Sequence, residues 1–211
     1  MLTYQRPVTD TKGVTTPGKG VALRWEELSD EQKADIQSNH KGEVGDEKEG
    51  ETRLAFLRGD RTDEGKGYGF RIRDSRLGDI WRSSPAHVGP PTMPRWRPKV
   101  ESKEETDMFR AYVNFVRKHG DREPMVYVGA NDGALHGFNA DAGAEVLSYF
   151  PAELYANVKD SKGDGYHKLA NPDYVHRSYV DATPSVFDAY LRLDSGTKEW
   201  RSVLILSLIH I

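Results

Sequence analysis

Carboxylates grouped around glycine are the first residues in this chain that could do chemistry. In "DSKGDGYHKLAN", residues 160–171, Asp160, Asp164 and Gly165 stand where a calcium loop of the EF-hand type places its first and fifth oxygen ligands and its turn glycine. Lys162 holds the third position and Asn171 the twelfth. A cation at the third position repels the metal and Asn cannot bind it bidentately, so a polar surface loop is expected instead. Arg58-Gly59-Asp60 is the tripeptide read by integrins, and the same residues would equally suit a turn. Adhesion through it would need an exposed, flexible loop. The histidines carry no H-E-x-x-H signature, so no zinc site is expected, and His87 and His136 read as packing or hydrogen-bonding residues of strands. There is no G-x-S-x-G, no P-loop and no G-x-G-x-x-G. The glycines of "GANDGALHG" flank a hairpin rather than open a helix, which disfavours phosphate binding. No catalytic, cofactor-binding or metal-ligating residue is therefore expected, and the chain reads as non-enzymatic.

Composition narrows the classes further. Hydrophobic residues make up 36% and charged residues 30% of the 211 positions, with a mean hydropathy of -0.72. That is polar for a globular domain, but four Trp, ten Tyr and seven Phe are too many for a disordered chain. Thirty basic and 33 acidic residues leave a net charge of -3, so no overall field draws the chain to nucleic acid or anionic lipid. The absence of cysteine removes disulfides, thiol catalysis and thiolate metal sites. "MLTYQRPVTDTKGV" lacks a basic segment followed by an apolar core, so no signal peptide is expected in this chain.

The elements that would position any site change character along the chain. Residues 1–76 read as an irregular lead-in with one short helix and charged loops. Within it, Ser29 and Gln32 form a capping box that predicts a helix to about Gln37. "NHKGEVGDEKEGET", residues 39–52, and "RGDRTDEGKGYG", residues 58–69, read as solvated loops. A second helix is predicted from Ser102, with Glu105 completing a capping box. Its apolar face is Met108, Tyr112, Phe115, Val116 and His119, and Gly120 follows its last turn. Beyond it the apolar period falls from 3.6 to 2. "MVYVGAN", the Asn131-Asp132-Gly133 turn, "ALHGFNA" and, after Asp141-Ala-Gly143, "AEVLSYFPA" predict three antiparallel strands.

A meander this small needs neighbours, and the sequence repeats its opening. "GDIWRSSPAHVG" and "YVDATPSVFDAY" both run Asp, then Ser or Thr, then Pro, into a strand, which singles out Asp79, Ser84, Pro85, Asp181, Thr183 and Pro184. Proline is tolerated at the start of a strand, and an upstream Asp can accept amides at a turn. Asp132 and Gly133 are expected to set the hairpin, Asp79 and Asp181 to hold the turns before the two strands, and Trp81 and Phe138 to pack between units. Asp194-Ser-Gly196 predicts one more turn. Two units of short strands with Gly turns suggest propeller blades. The expected class is mainly β, a partial β-propeller of about two blades over residues 77–211, with inserted α-helices and long polar loops. Closure takes about four to eight blades, and the chain stops on the apolar run "SVLILSLIHI", too short to span a membrane as a helix. A fragment truncated at its C-terminus is expected.

The blocks "FLRGDRTDEG", "RDSRLGDIWRSSPAHVGPP", "MVYVGANDGALHGFNADAG", "HRSYVDATPSVFDAY" and "WRSVLI", preceded by "RWEELSDEQKADI", resemble in order and spacing the C-terminal propeller domain of the PilY1 family of type IV pilus biogenesis proteins, called PilC in some bacteria. The likeness covers residues 23 to about 206. It implies a quinoprotein-like blade type and a non-enzymatic protein at the cell surface, outer membrane or pilus tip of a Gram-negative bacterium. The implied partners are minor pilins of the tip complex and a host or abiotic surface, with roles in pilus assembly, retraction control and adhesion. The family's calcium loop lies in later blades, so no cofactor is implied for this chain. The alternative is part of a PQQ-dependent quinoprotein dehydrogenase, which shares the blade type but needs a closed ring over a calcium-held cofactor.

Overall fold

Short segments at the start of the chain form strands through near partners and one distant one. In the computed structural model, which describes residues 1–39, 41, 43–99, 101–156, 165–193 and 195–208, Leu2–Gln5 (β1) pairs antiparallel with Lys19–Ala22 (β4). Val8–Thr9 (β2) and Thr15–Thr16 (β3) form a small hairpin between them. β1 also runs parallel to a strand near residue 150, where Thr3 Oγ1 donates to the Phe150 carbonyl at 2.8 Å. Residues 1–22, which the sequence reads as an extended or irregular lead-in, are extended and largely paired. Their strand signal is short, and pairing with β4 and with the strand near residue 150 orders them.

Asp30–Gln37 (α1) starts at the complete Ser29–Gln32 capping box that the sequence predicts. Glu47–Leu57 (α2) was not expected, since its residues 47–52 lie in the run read as a solvated loop. The Asp46 side chain accepts from Glu49 N at 2.8 Å, and the buried side chains come late, at Arg53, Leu54 and Phe56. The charged first turns carry no apolar stripe, so the helix is legible only from its cap and its last turn. The buried Arg73 gathers the following loop. It donates to Glu64 Oε1 at 2.7 Å, to the Phe56 carbonyl at 2.8 Å and to the Asp60 carbonyl at 2.6 Å, with its guanidinium over the Phe56 ring.

Ala86–Val88 (β5) follows Pro85, and Lys103–Lys118 (α3) is inserted before the meander. Ser102 accepts from Glu105 N as expected, but the Glu105 carboxylate turns outward to Lys99 N at 2.8 Å, so the capping box is half-made. Met125–Gly129 (β6), Leu135–Asn139 (β7) and Glu145–Phe150 (β8) are the predicted meander. The sheet order is β4-β1-β8-β7-β6-β5. Ser185–Arg192 (β9), after Pro184, and Lys198–Ile205 (β10) form a separate antiparallel pair, onto which α3 docks. There the Tyr112 and Trp200 rings lie 4.6 Å apart, the Tyr112 hydroxyl donates to Asp188 Oδ2 at 2.9 Å, and Trp200 Nε1 donates to the Met108 carbonyl at 3.0 Å. Burial and the Asp188 carboxylate push the Tyr112 phenol up to about 12. Neither sheet closes on itself.

One core joins the lead-in to the meander. Leu23, Ile36 and Leu54 pack with Ala134, Leu135, Phe150, Tyr166, Leu169 and Val180. Asp35 inside this core accepts from Tyr166 N at 2.8 Å and faces His167 Nδ1 at 2.5 Å. Two sequence expectations, the calcium-like residues Asp160 and Asp164 and the turn residue Asp194, lie outside the described residues.

Candidate functional site

The Asn131-Asp132-Gly133 turn gathers Asp79, Asp132, Gly133 and His136. Gly133 has φ 94, and a Cβ there would stand 2.6 Å from Tyr166 Cε1. The position therefore excludes side chains both by backbone conformation and by space. The fully buried Tyr166 covers the turn, its hydroxyl 3.0 Å from the carbonyls of Gly133 and Pro151.

Asn131 uses every polar atom of its side chain. Its backbone N–H donates to the Asp79 carbonyl at 3.0 Å, its Nδ2 donates to Asp79 Oδ2 at 2.8 Å, and its Oδ1 accepts from Tyr179 N at 3.1 Å. The turn thus clamps the segments leading into both Pro-led strands. Asp79, expected from sequence to hold its own turn, reaches across to the hairpin and to His176 Nε2 at 2.9 Å. Burial would raise the Asp79 carboxyl, but the Asn131 and His176 contacts outweigh it and hold it below the usual range.

Asp132 binds the same strap one residue earlier, accepting from Gly78 N at 2.9 Å. It also meets His136, whose Nε2 lies 3.1 Å from both Asp132 oxygens while Nδ1 lies 2.7 Å from Glu145 Oε1. Both ring nitrogens face carboxylates, an arrangement that only an imidazolium satisfies fully. Burial pushes the His136 pKa down, but the hydrogen bonds and charges of Asp132 and Glu145 prevail and raise it.

The straps also touch each other. Ser84 N donates to Thr183 Oγ1 at 2.9 Å, and Ser83 Oγ accepts from Gly129 N at 2.9 Å. A Cβ at Gly129 would stand 2.4 Å from the Val180 carbonyl, so the close approach of the second strap needs this glycine. Asp181 is fully buried and neither carboxylate oxygen has a hydrogen-bond partner among the described residues, so it does not hold a turn in the expected way. Trp81 is 76% exposed and does not pack between units. Phe138 stacks on the His136 ring at 6.0 Å within its own strand.

Arg58-Gly59-Asp60 forms the C-terminal cap of α2. Gly59 has φ 97, its N–H donates to the Phe56 carbonyl at 2.9 Å and Asp60 N donates to the Ala55 carbonyl at 3.0 Å, the paired bonds of a Schellman motif. Asp60 Oδ1 accepts from Thr62 N and Oγ1 at 2.8 and 2.6 Å. Sequence reasoning placed Asn131 in the turn but missed its clamping role, and missed His176 and Ser83. The Asp132–His136 spacing of four residues was the one local signal for part of this network. Among the described residues no group of three His, Cys, Asp or Glu side chains is placed to hold a metal ion.

A family model described as the PilY1 beta-propeller domain matches residues 77–210. The type IV pilus biogenesis factor PilY1 of Pseudomonas aeruginosa strain PAK is 37% identical over 185 residues, 87% of this chain and 14% of its own length. The chain belongs to the PilY1 family. The PilY1 of P. aeruginosa strain PAO1 shows the same 37% identity over 185 residues, and a PilY1 homolog from Xylella fastidiosa is 34% identical over 154 residues, 72% of this chain and 11% of its own length. This chain therefore spans about a seventh of the length of the P. aeruginosa relatives. No solved structure matches it. The clamp from Gly78 to Thr183 lies inside the PilY1 propeller match, and the two open sheets are parts of a mainly β, partial propeller. No helix among the described residues is long and apolar enough to cross a membrane.

Proposed function

We propose that this chain is part of a non-enzymatic type IV pilus biogenesis protein located in the envelope or at the pilus tip of a Gram-negative bacterium. The observation that carries the reading is its 37% identity, over 87% of its length, to proteins named for that role. Its action is interaction: the propeller strands form the frame, and the inserted helix and loops present polar and aromatic groups to minor pilins and to surfaces. Exposed side chains such as Trp81, Ile80 and Val175 suit that use. Retraction control and adhesion belong to the same proposal. Arg58 and Asp60 are exposed on the cap of α2, and loss of attachment to integrin-bearing cells in an Asp60→Glu variant would test an adhesive role for them.

The test is a chimera in which the matching 185-residue segment of the strain PAK protein is replaced by this chain, carrying an affinity tag and expressed in P. aeruginosa. Co-purification of the minor pilins from the envelope fraction is expected. A stable, exported chimera that brings down no minor pilin would overturn the proposal.

A further inference from the structure

The pilus reading makes no use of the cavity between the meander and the end of α2. Its volume is about 160 Å³. Leu57, Phe138 and Phe150 give it apolar walls, and Arg58 and Arg76 stand in its lining. Arg58 Nη1 donates to the Leu23 carbonyl at 3.2 Å and Arg76 Nε to the Gly59 carbonyl at 2.9 Å. Neither guanidinium has a carboxylate partner among the described residues. The two acids in the same lining, Asp132 and Glu145, are both engaged by His136.

The cavity also holds an orphan. Ser148 is 2% exposed, lines the cavity, and its hydroxyl has no hydrogen-bond partner among the described residues. It lies directly opposite His136 across β7 and β8, so the two side chains leave the sheet on one face. A buried hydroxyl without a partner is rare in a finished site.

We propose that this cavity binds an aliphatic carboxylate. Its anionic end is taken by Arg58 and Arg76, whose planar forks match a carboxylate, together with the Ser148 hydroxyl. Its apolar body lies against Leu57, Phe138 and Phe150. A phosphate would leave those walls unused and would bring more negative charge towards Glu145. The carboxylate can belong to the C-terminus of a peptide or to a free short-chain acid, and neither source depends on the pilus reading.

The experiment is an amide-detected NMR titration of the full chain with sodium valerate, and with N-acetyl-Ala-Val bearing either a free or an amidated C-terminus. Saturable shifts at Ser148 and Phe138 are expected, with a Kd on the order of 1 mM for a ligand of about seven non-hydrogen atoms. R58Q/R76Q should weaken binding by about tenfold and S148A by about threefold. Tight binding of the peptide acid over valerate identifies a chain terminus, and the reverse identifies a free acid. Absence of saturable shifts with both probes at about 50 mM, equal binding of the amide, or unchanged binding by R58Q/R76Q overturns the proposal. If R58Q alters melting, R76Q alone reports, because it leaves the Leu23 contact intact.

Discussion

Asn131 Nδ2 donates to Asp79 Oδ2 at 2.8 Å across a sequence separation of 52 residues. Because Asn131 also receives Tyr179 N, one turn residue ties both strand-leading segments to the meander. Asn131→Ala would break both side-chain bonds, to Asp79 and from Tyr179 N, inside a buried turn. A loss of about 2–3 kcal/mol in denaturant unfolding is expected. In a double-mutant cycle with Asp79→Ala the coupling should be about 0.5–1.5 kcal/mol. Strictly additive losses would show that the two side chains do not act together.

Glycines 133 and 143 separate backbone strain from crowding. Both have positive φ, 94 and 67, but a Cβ meets Tyr166 at 2.6 Å in the first and nothing within 4 Å in the second. Gly143→Ala should cost about 1 kcal/mol. Gly133→Val should cost that plus roughly 1–3 kcal/mol of overpacking. Similar melting temperatures for the two variants would remove Tyr166 from the account of the turn.

His136 makes stability depend on pH with a definite sign. Its folded pKa is raised by Asp132 and Glu145, so its contribution is fully present below the unfolded value of about 6.5 and is lost as pH rises through the folded value. The stability gap between the parent chain and His136→Gln should therefore be wider near about pH 6 than near about pH 9. A gap that widens towards alkaline pH would mean that His136 is held neutral.

Tyr112 and Trp200 fix α3 to the β9–β10 pair. Tyr112→Phe removes only the bond to Asp188, which keeps Ser202 Oγ as a donor at 2.7 Å, so about 1 kcal/mol is expected. Trp200→Ala removes the ring and the Met108 bond and should cost roughly 2–4 kcal/mol. Hydrogen exchange across residues 103–118 reads both, and protection that survives Trp200→Ala would place the anchor elsewhere.

Local signals were legible in the sequence and distant pairings were not. The Asn131-Asp132-Gly133 hairpin, the Ser29 capping box and the Pro-led starts of β5 and β9 each depend on residues a few positions apart. β1 depends on a partner near residue 150, and α2 on burial of its last turn only, so neither showed in periodicity. The same division holds in the site. Asp132 and Gly133 could be read from turn chemistry, whereas Asn131, Ser83 and His176 matter only because the fold brings residues 78–84 and 176–184 onto the hairpin. Asp79 and Asp181 look alike in sequence, yet one is clamped and the other is buried without a partner among the described residues, a difference no local pattern encodes.

The proposed role, as part of a PilY1-type pilus biogenesis protein, rests on strands that the hairpin clamp holds in place. The most direct measurement is surface piliation in P. aeruginosa strain PAK when the chimera replaces the resident protein, with and without Asn131→Ala. The account predicts restored pili with the parent chimera and a clear reduction with the variant. Absence of pili with a stable, exported parent chimera would contradict it.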